Sequence, residues 1–200
     1  MTQNRAIGIC GGSCSGKTRL TQLLHARLGP ERSVILPQDD YFFGLGDAPP
    51  GKGGPNFDHP DAVDFASLAR HLAAMKTGET IARPQYDFHH HLPRTETVAT
   101  PPRPIILVDG ILILADPATR ALLDFSIFVA CDAETRLARR LERDVRERGR
   151  TAESVRALFE AQVEPMHQHW VEPSKAHADL VIDNSHDRPL EIDDILALLG

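Results

Sequence analysis

The chain has 200 residues, 42% hydrophobic and 25% charged, with a formal net charge of −6. That is the composition of one globular domain and excludes a disordered chain, while the acidic balance argues against general nucleic-acid binding through phosphate neutralisation. Three cysteines (Cys10, Cys14, Cys131) make a disulfide framework improbable. The longest apolar run, broken by Asp109, is shorter than the ~18 residues of a membrane span. With no signal-peptide pattern after Met1, a soluble, cytoplasmic protein without membrane partners is expected.

In chain order, Ala6–Cys10 reads as a first strand. Gly16–Leu28 is a helix carrying Leu20, Leu23, Leu24 and Leu28 at helical spacing, stopped by Gly29-Pro30. Ser33–Leu36 is a second strand. Gly44–Pro60 holds five glycines and four prolines and reads as a long loop, a kind that is often functional. A helix is expected over Asp61–Lys76, with Asp61 as N-cap and Phe65, Leu68, Leu72 and Met75 inward. Thr80–Thr100 reads as a hairpin-like insertion. Ile105–Val108 and Ser126–Ala130 are strands, the first apolar throughout, as suits a strand covered on both faces. Ala133–Arg148 follows Asp132 as a helix with Leu137, Leu141 and Val145 on one stripe. Thr151–His169 is a further helix, Leu180–Ile182 a last strand and Leu190–Leu199 a closing helix. This alternation predicts an α/β domain spanning 1–200, with a doubly wound, mostly parallel sheet.

The strongest local signal is Gly11-Gly12-Ser13-Cys14-Ser15-Gly16-Lys17-Thr18, which satisfies G-x-x-x-x-G-K-[ST] between a predicted strand and a predicted helix. Such a loop turns consecutive backbone N–H groups toward phosphates, and the helix N-terminus adds partial positive charge. Lys17 would reach the β/γ-phosphates and the Thr18 hydroxyl would ligate Mg²⁺. The motif implies a purine nucleoside triphosphate but no particular reaction.

Asp109, at the end of an apolar strand, stands where a Mg²⁺-binding carboxylate is expected beside that loop. Asp39 and Asp40 end the second strand, where α/β folds face their ligands. Either could accept the proton of an attacking hydroxyl, and spacing alone leaves the choice open. Seven arginines (Arg136, Arg139, Arg140, Arg143, Arg146, Arg148, Arg150) fall within fifteen residues. Some pair with Glu142, Asp144 and Glu147 on a solvated face; others suit an arginine-bearing lid over phosphates. His89-His90-His91 lacks a zinc-type ligand pattern and reads as a polar hairpin tip. His167 and His169, two apart on a helix, do not share a face.

Beyond the phosphate loop, several blocks occur in one order: Gln38-Asp39, Asn56-Phe57-Asp58-His59-Pro60-Asp61, Tyr86-Asp87-Phe88 with His91, and Glu96-Thr97-Val98. They continue with Asp109-Gly110-Ile111-Leu112, Arg143-Asp144, Glu147-Arg148-Gly149-Arg150 and Ala178-Asp179. From about Arg5 to Asp183 the chain resembles the uridine kinase (uridine–cytidine kinase) family. The resemblance implies a five-stranded parallel sheet of P-loop kinase type, a substrate hairpin at about 80–100 and an Arg-rich lid at about 143–165. It implies Asp39 as the base on the ribose 5′-hydroxyl, set with Thr18 and Asp109 at the metal. Asp58, helped by Arg140 and Arg150, would hold the ribose hydroxyls; Tyr86 and His91 would face the pyrimidine; Arg143 and Arg148 would serve the lid. The implied activity is ATP- or GTP-dependent, Mg²⁺-requiring phosphorylation of uridine or cytidine, a pyrimidine salvage step, commonly by a homo-oligomer (tetramer or dimer).

The chain departs from that pattern at Asp109 (usually Glu), Phe42 (often Tyr), Pro93 (often Arg) and Leu158 (often Gln near the sugar). Two other readings are a P-loop kinase acting on nicotinamide riboside, pantothenate or a sugar phosphate, and a nucleotide-binding switch. Against the switch, the stretch closest to a guanine-reading motif, Asn184-Ser185-His186-Asp187, lacks its lysine.

Overall fold

The computed structural model describes residues 4–44, 50–51, 54–186 and 192–199. In chain order its elements begin with β1 (Arg5–Cys10), α1 (Lys17–Leu28), β2 (Ser33–Pro37), β3 (Pro50–Gly51), β4 (Gly54–Pro55) and α2 (Phe65–Lys76). Then come β5 (Ile81–Arg83), β6 (Tyr86–Asp87), β7 (Leu92–Pro93), β8 (Val98–Thr100), β9 (Ile105–Gly110), α3 (Pro117–Arg120), β10 (Phe125–Ala130) and α4 (Ala133–Arg148). The chain ends with α5 (Ala152–Leu158), α6 (Glu164–Met166), α7 (Glu172–Ser174), β11 (Leu180–Asp183) and α8 (Ile192–Leu199). Five strands form one parallel sheet in the order β11-β10-β1-β9-β2. No helix among the described residues is long and apolar enough to cross a membrane.

The period-2 alternation of β1 divides the core into two layers. Ile7 and Ile9 pack with Leu20 and Leu24 of α1 and Ile192 and Ile195 of α8. Ala6 and Cys10 face the opposite layer, with Leu68, Leu72 and Met75 of α2. Each fully buried Ile or Leu is worth roughly 1.5–3 kcal/mol, which is why strands covered on both faces read as unbroken apolar runs. A polar anchor ties α2 to the sheet: Lys76 Nζ donates to both carboxylate oxygens of Asp124 (2.9 and 2.8 Å) and to the Leu122 carbonyl. Asp124 Oδ2 in turn accepts from the backbone N–H of Ala6 at 2.7 Å.

The five predicted strands and the helix behind the phosphate loop are observed. The expected helix start at Asp61 is not: Pro60–Ala62 forms a 3₁₀ turn, and α2 begins at Phe65 with Asp64 accepting from the Ser67 N–H. Val63 is bridged to Phe42 and held extended, so the helix cannot start before it. The predicted helix over Thr151–His169 instead runs from α5 through α7, interrupted by π-helical turns at Phe159–Val163 and His167–Val171. Each π turn precedes a proline, Pro165 or Pro173. Proline removes an N–H and crowds the carbonyl four residues back, and a widened turn accommodates both. The insertion folds in two steps, β5 against β8 (Ile81↔Thr100) and β6 against β7 (Tyr86↔Pro93). Much of Gly44–Pro60 lies outside the described residues, as do Leu190 and Glu191 of the predicted closing helix.

Candidate active site

The phosphate loop joins β1 to α1 at the carboxyl edge of the sheet. Gly16 takes a left-handed φ of 99°, and a Cβ there would collide with Asn184 Nδ2. Asn184, in the turn after β11, donates to the Ser15 carbonyl at 2.7 Å and so pins the loop from outside its own segment. Gly11 lies against the Val129 carbonyl, 2.5 Å from where a Cβ would stand. Cys14 adopts φ 64°, an uncommon conformation for a residue with a side chain. Cys14, Gly16, Lys17, Thr18, Arg139 and Arg143 line a cavity of about 230 Å³. The loop is therefore held open with its helix N-terminus exposed to the cavity.

Register places the carboxylates. Pro37 of β2 and Ile9 of β1 are both paired with Asp109 of β9, so Asp39, Asp109 and the loop share one edge. Gln38, fully buried, accepts from the Leu112 N–H at 2.8 Å through Oε1 and ties the end of β2 to the turn after β9. Asp39 and Asp40 then diverge. Asp40 pairs with Arg83 of β5 at 2.9 Å, whereas Asp39 is exposed to the cleft and feels Lys17, Arg148 and Arg143. Desolvation by the surrounding protein raises the Asp39 carboxyl above its ordinary value, against the pull of those three cations. Asp109 is buried and raised by desolvation, opposed by Lys17 and by a hydrogen bond with Thr18. Its Oδ1 has no hydrogen-bond partner among the described residues.

Five of the seven clustered arginines fall into two groups. Arg146 pairs with Glu142 and Glu147 on the exposed face. Arg140, Arg143, Arg148 and Arg150 converge on fully buried Asp144, at 3.6, 2.8, 3.5 and 3.4 Å. Arg140 also donates to Ser13 Oγ of the phosphate loop at 2.9 Å. Burial and the neighbouring Arg143, Arg150 and Arg140 hold Arg148 below the usual guanidinium range, against the pull of Asp144. Asp144, read from sequence as one of several surface partners, is the centre of the cluster.

Asp58 lies in the same cleft. Desolvation raises its carboxyl, opposed by Arg140, by a hydrogen bond from Gln162 and by Lys17, while Asp39 raises it further. Tyr86 and His91 meet Phe57 there. His91 stacks on Phe57 with ring centroids 5.3 Å apart and planes at 17°. Tyr86 meets Phe57 and Phe42 edge-on and donates to the Phe43 carbonyl at 3.3 Å. Burial pushes the Tyr86 phenol up to about 12, and it lowers His91, helped by Arg150 and Arg148. A cluster of aromatic rings from Phe42, Phe57, Tyr86 and His91 thus adjoins the charged groups. Phe57, Asp144 and Gln162 were not picked out as site residues by sequence reading. Phe57 was visible only as the neighbour of Asp58, Asp144 only as part of the Arg143-Asp144 block, and nothing local distinguishes Gln162.

The cradle fits a nucleoside triphosphate with a divalent cation. The orphaned Asp109 Oδ1 and the adjacent Thr18 hydroxyl supply hard oxygen donors. Among the described residues no group of three or more His, Cys, Asp or Glu could hold a metal. An ion here would accordingly share its coordination with phosphate oxygens and water, as Mg²⁺ does in such sites.

Fold and site together define a P-loop kinase. The family model described as phosphoribulokinase / uridine kinase family matches residues 6–191. A uridine kinase of Chloroflexus aurantiacus is 42% identical over 194 residues, 96% of this chain and 92% of that protein. One from Halobacterium salinarum is 40% identical over 178 residues, 88% and 79% of the two chains. In fold, the chain is similar to a structure described as a possible uridine kinase from Bacillus stearothermophilus (TM-score 0.66, 18% identity, 92% and 90% covered). It is also similar to phosphoribulokinase from Rhodobacter spheroides (TM-score 0.65, 16% identity, 93% and 74% covered). The chain belongs to the phosphoribulokinase / uridine kinase family, and it is an enzyme of the nucleoside-kinase type.

Proposed function

We propose that the protein transfers the γ-phosphoryl group of ATP or GTP to the 5′-hydroxyl of uridine or cytidine, a pyrimidine salvage step. One observation carries this reading. One region combines a phosphate cradle, a carboxylate facing its lysine and a cluster of aromatic rings near a second carboxylate. The order of groups matches the molecule that must fit: triphosphate over Lys17, reacting hydroxyl at Asp39, sugar at Asp58, base at Phe57, His91 and Tyr86.

Asp39, ionised, accepts the proton of the attacking hydroxyl as the phosphoryl group moves across. Lys17 and the loop N–H groups neutralise charge on the phosphate oxygens. Arg143 and Arg148, held near Asp144, form a lid that adds donors and excludes water, suppressing hydrolysis. Arg140 and Arg150 support the sugar side. Thr18, Asp109 and Asp39 would hold Mg²⁺, which supplies charge neutralisation on the β- and γ-phosphates when bound.

The test is ADP formation by purified protein with Mg²⁺ and ATP or GTP, offered uridine, cytidine, nicotinamide riboside, pantothenate or no acceptor. Stimulation by uridine or cytidine with monophosphate product is expected. Stimulation by another acceptor alone would replace the substrate, and nucleotide binding with no stimulated turnover would favour the switch.

A further inference from the structure

Asp39 sits between two residues that are each anchored to a different half of the site. Gln38 Oε1 accepts from the Leu112 N–H at 2.8 Å, which fixes the 3₁₀ turn to the end of β9 and so to Asp109. Asp40 Oδ2 meets Arg83 Nη1 at 2.9 Å, which fixes the same turn to the end of β5. The two side chains are 16% and 23% exposed, so this pair is sheltered from the water and salt that weaken a surface ion pair. Arg83 Nε is buried with no hydrogen-bond partner among the described residues, and the guanidinium takes its orientation from Asp40.

Arg83 also opens the stretch that carries the aromatic rings. Pro84 follows it and restricts the backbone on both sides, and Tyr86 comes two residues later. Tyr86 returns to the chain just past the turn: its hydroxyl donates to the Phe43 carbonyl at 3.3 Å and its ring meets Phe42 edge-on at 5.7 Å. Residues 40–43 and 83–86 are therefore joined at both ends, with Asp39 immediately before the first contact. We infer that Asp40 and Arg83 are a positioning pair that registers the acceptor-holding insertion against Asp39, so that the acceptor hydroxyl meets the carboxylate in line with the triphosphate. The inference rests on the reading of Asp39 as base and of the insertion as the acceptor's platform, and it gives the second carboxylate of the turn a role. Neither residue touches the reacting atoms. A misplacement of about 1 Å can cost ~10²-fold in rate, so loss of the pair falls on kcat and spares the nucleotide side.

Arg83→Met removes the charge and keeps an unbranched apolar stem; Asp40→Ala removes the other partner. In Arg83→Met, kcat with uridine should fall about 10-fold or more, with the KM for ATP within about 2-fold of wild type. The double variant should be no slower than Arg83→Met by more than about 2-fold, because both changes break one contact. Each variant should keep the rise in melting temperature that ATP produces, which reports a folded cradle. A kcat for Arg83→Met within about 2-fold of wild type, losses that multiply in the double variant, or a KM for ATP that rises as far as kcat falls would each overturn the assignment. Wild-type protein that turns over neither uridine nor cytidine would instead remove the nucleoside reading beneath it.

Discussion

Asp39 and Asp40 are neighbours with opposite surroundings. Nothing in Gln38-Asp39-Asp40-Tyr41 separates them, and the 3₁₀ turn over those residues does. It directs Asp40 to Arg83 and leaves Asp39 facing Lys17. Because the cleft raises the Asp39 carboxyl, its basic form is lost at a higher pH than for an ordinary carboxylate. The kcat/KM profile should therefore show an acid limb above the ordinary value of 3.8, with activity falling as pH drops through it. Asp39→Asn should lower kcat by ~10²-fold or more and erase that limb, with ATP affinity nearly intact. The same limb persisting in the variant would assign it to another group.

At the scale of an element, α4 inverts a sequence expectation. Leu137, Leu141 and Val145 share a stripe, yet Val145 is 45% exposed and the buried positions are Arg136, Arg140 and Asp144, again four apart. Amphipathic periodicity assumes that the inward face meets an apolar core. Here it meets the phosphate loop and a helix presenting Glu164, which pairs with Arg136, so charge lies inside. Asp144→Asn would leave four guanidinium groups around an uncharged centre. A stability loss of roughly 2–4 kcal/mol is expected, below the fully buried limit because three of the arginines keep solvent contact. Urea denaturation should show a lower midpoint at unchanged slope, and triphosphate affinity should fall with it. An unchanged midpoint would mean that Asp144 does not organise the cluster. Where an element's neighbours were ordinary, sequence sufficed: the helix expected from Ala133 to Arg148 is observed with those bounds, and Asp132 before it accepts from the Thr135 N–H at 2.7 Å.

For the whole molecule, the cleft is assembled from distant segments: the loop after β1, the ends of β2 and β9, the arm from β5 to β8, α4, and the helix that begins with α5. Nucleotide binding should therefore stabilise the folded state as a unit. At a nucleotide concentration near 100 times Kd the gain is ~2.7 kcal/mol, or roughly 5–10 °C in melting temperature for a chain of this size. Lys17→Ala should abolish most of that rise, and a rise retained in full would count against the cradle. The sequence by itself determined the phosphate loop, the five strands and the α/β class, because these follow from contiguous residues: glycine spacing and apolar runs. Local density singled out the arginines, and family-specific blocks singled out Asp58, Tyr86 and His91, but as a set without distances. Tertiary structure alone decided that Asp39 faces Lys17 and that Asp144 gathers four arginines. The first pairs groups from separate segments and the second depends on which helix face turns inward, so strand order, register and helix packing set those encounters rather than local composition.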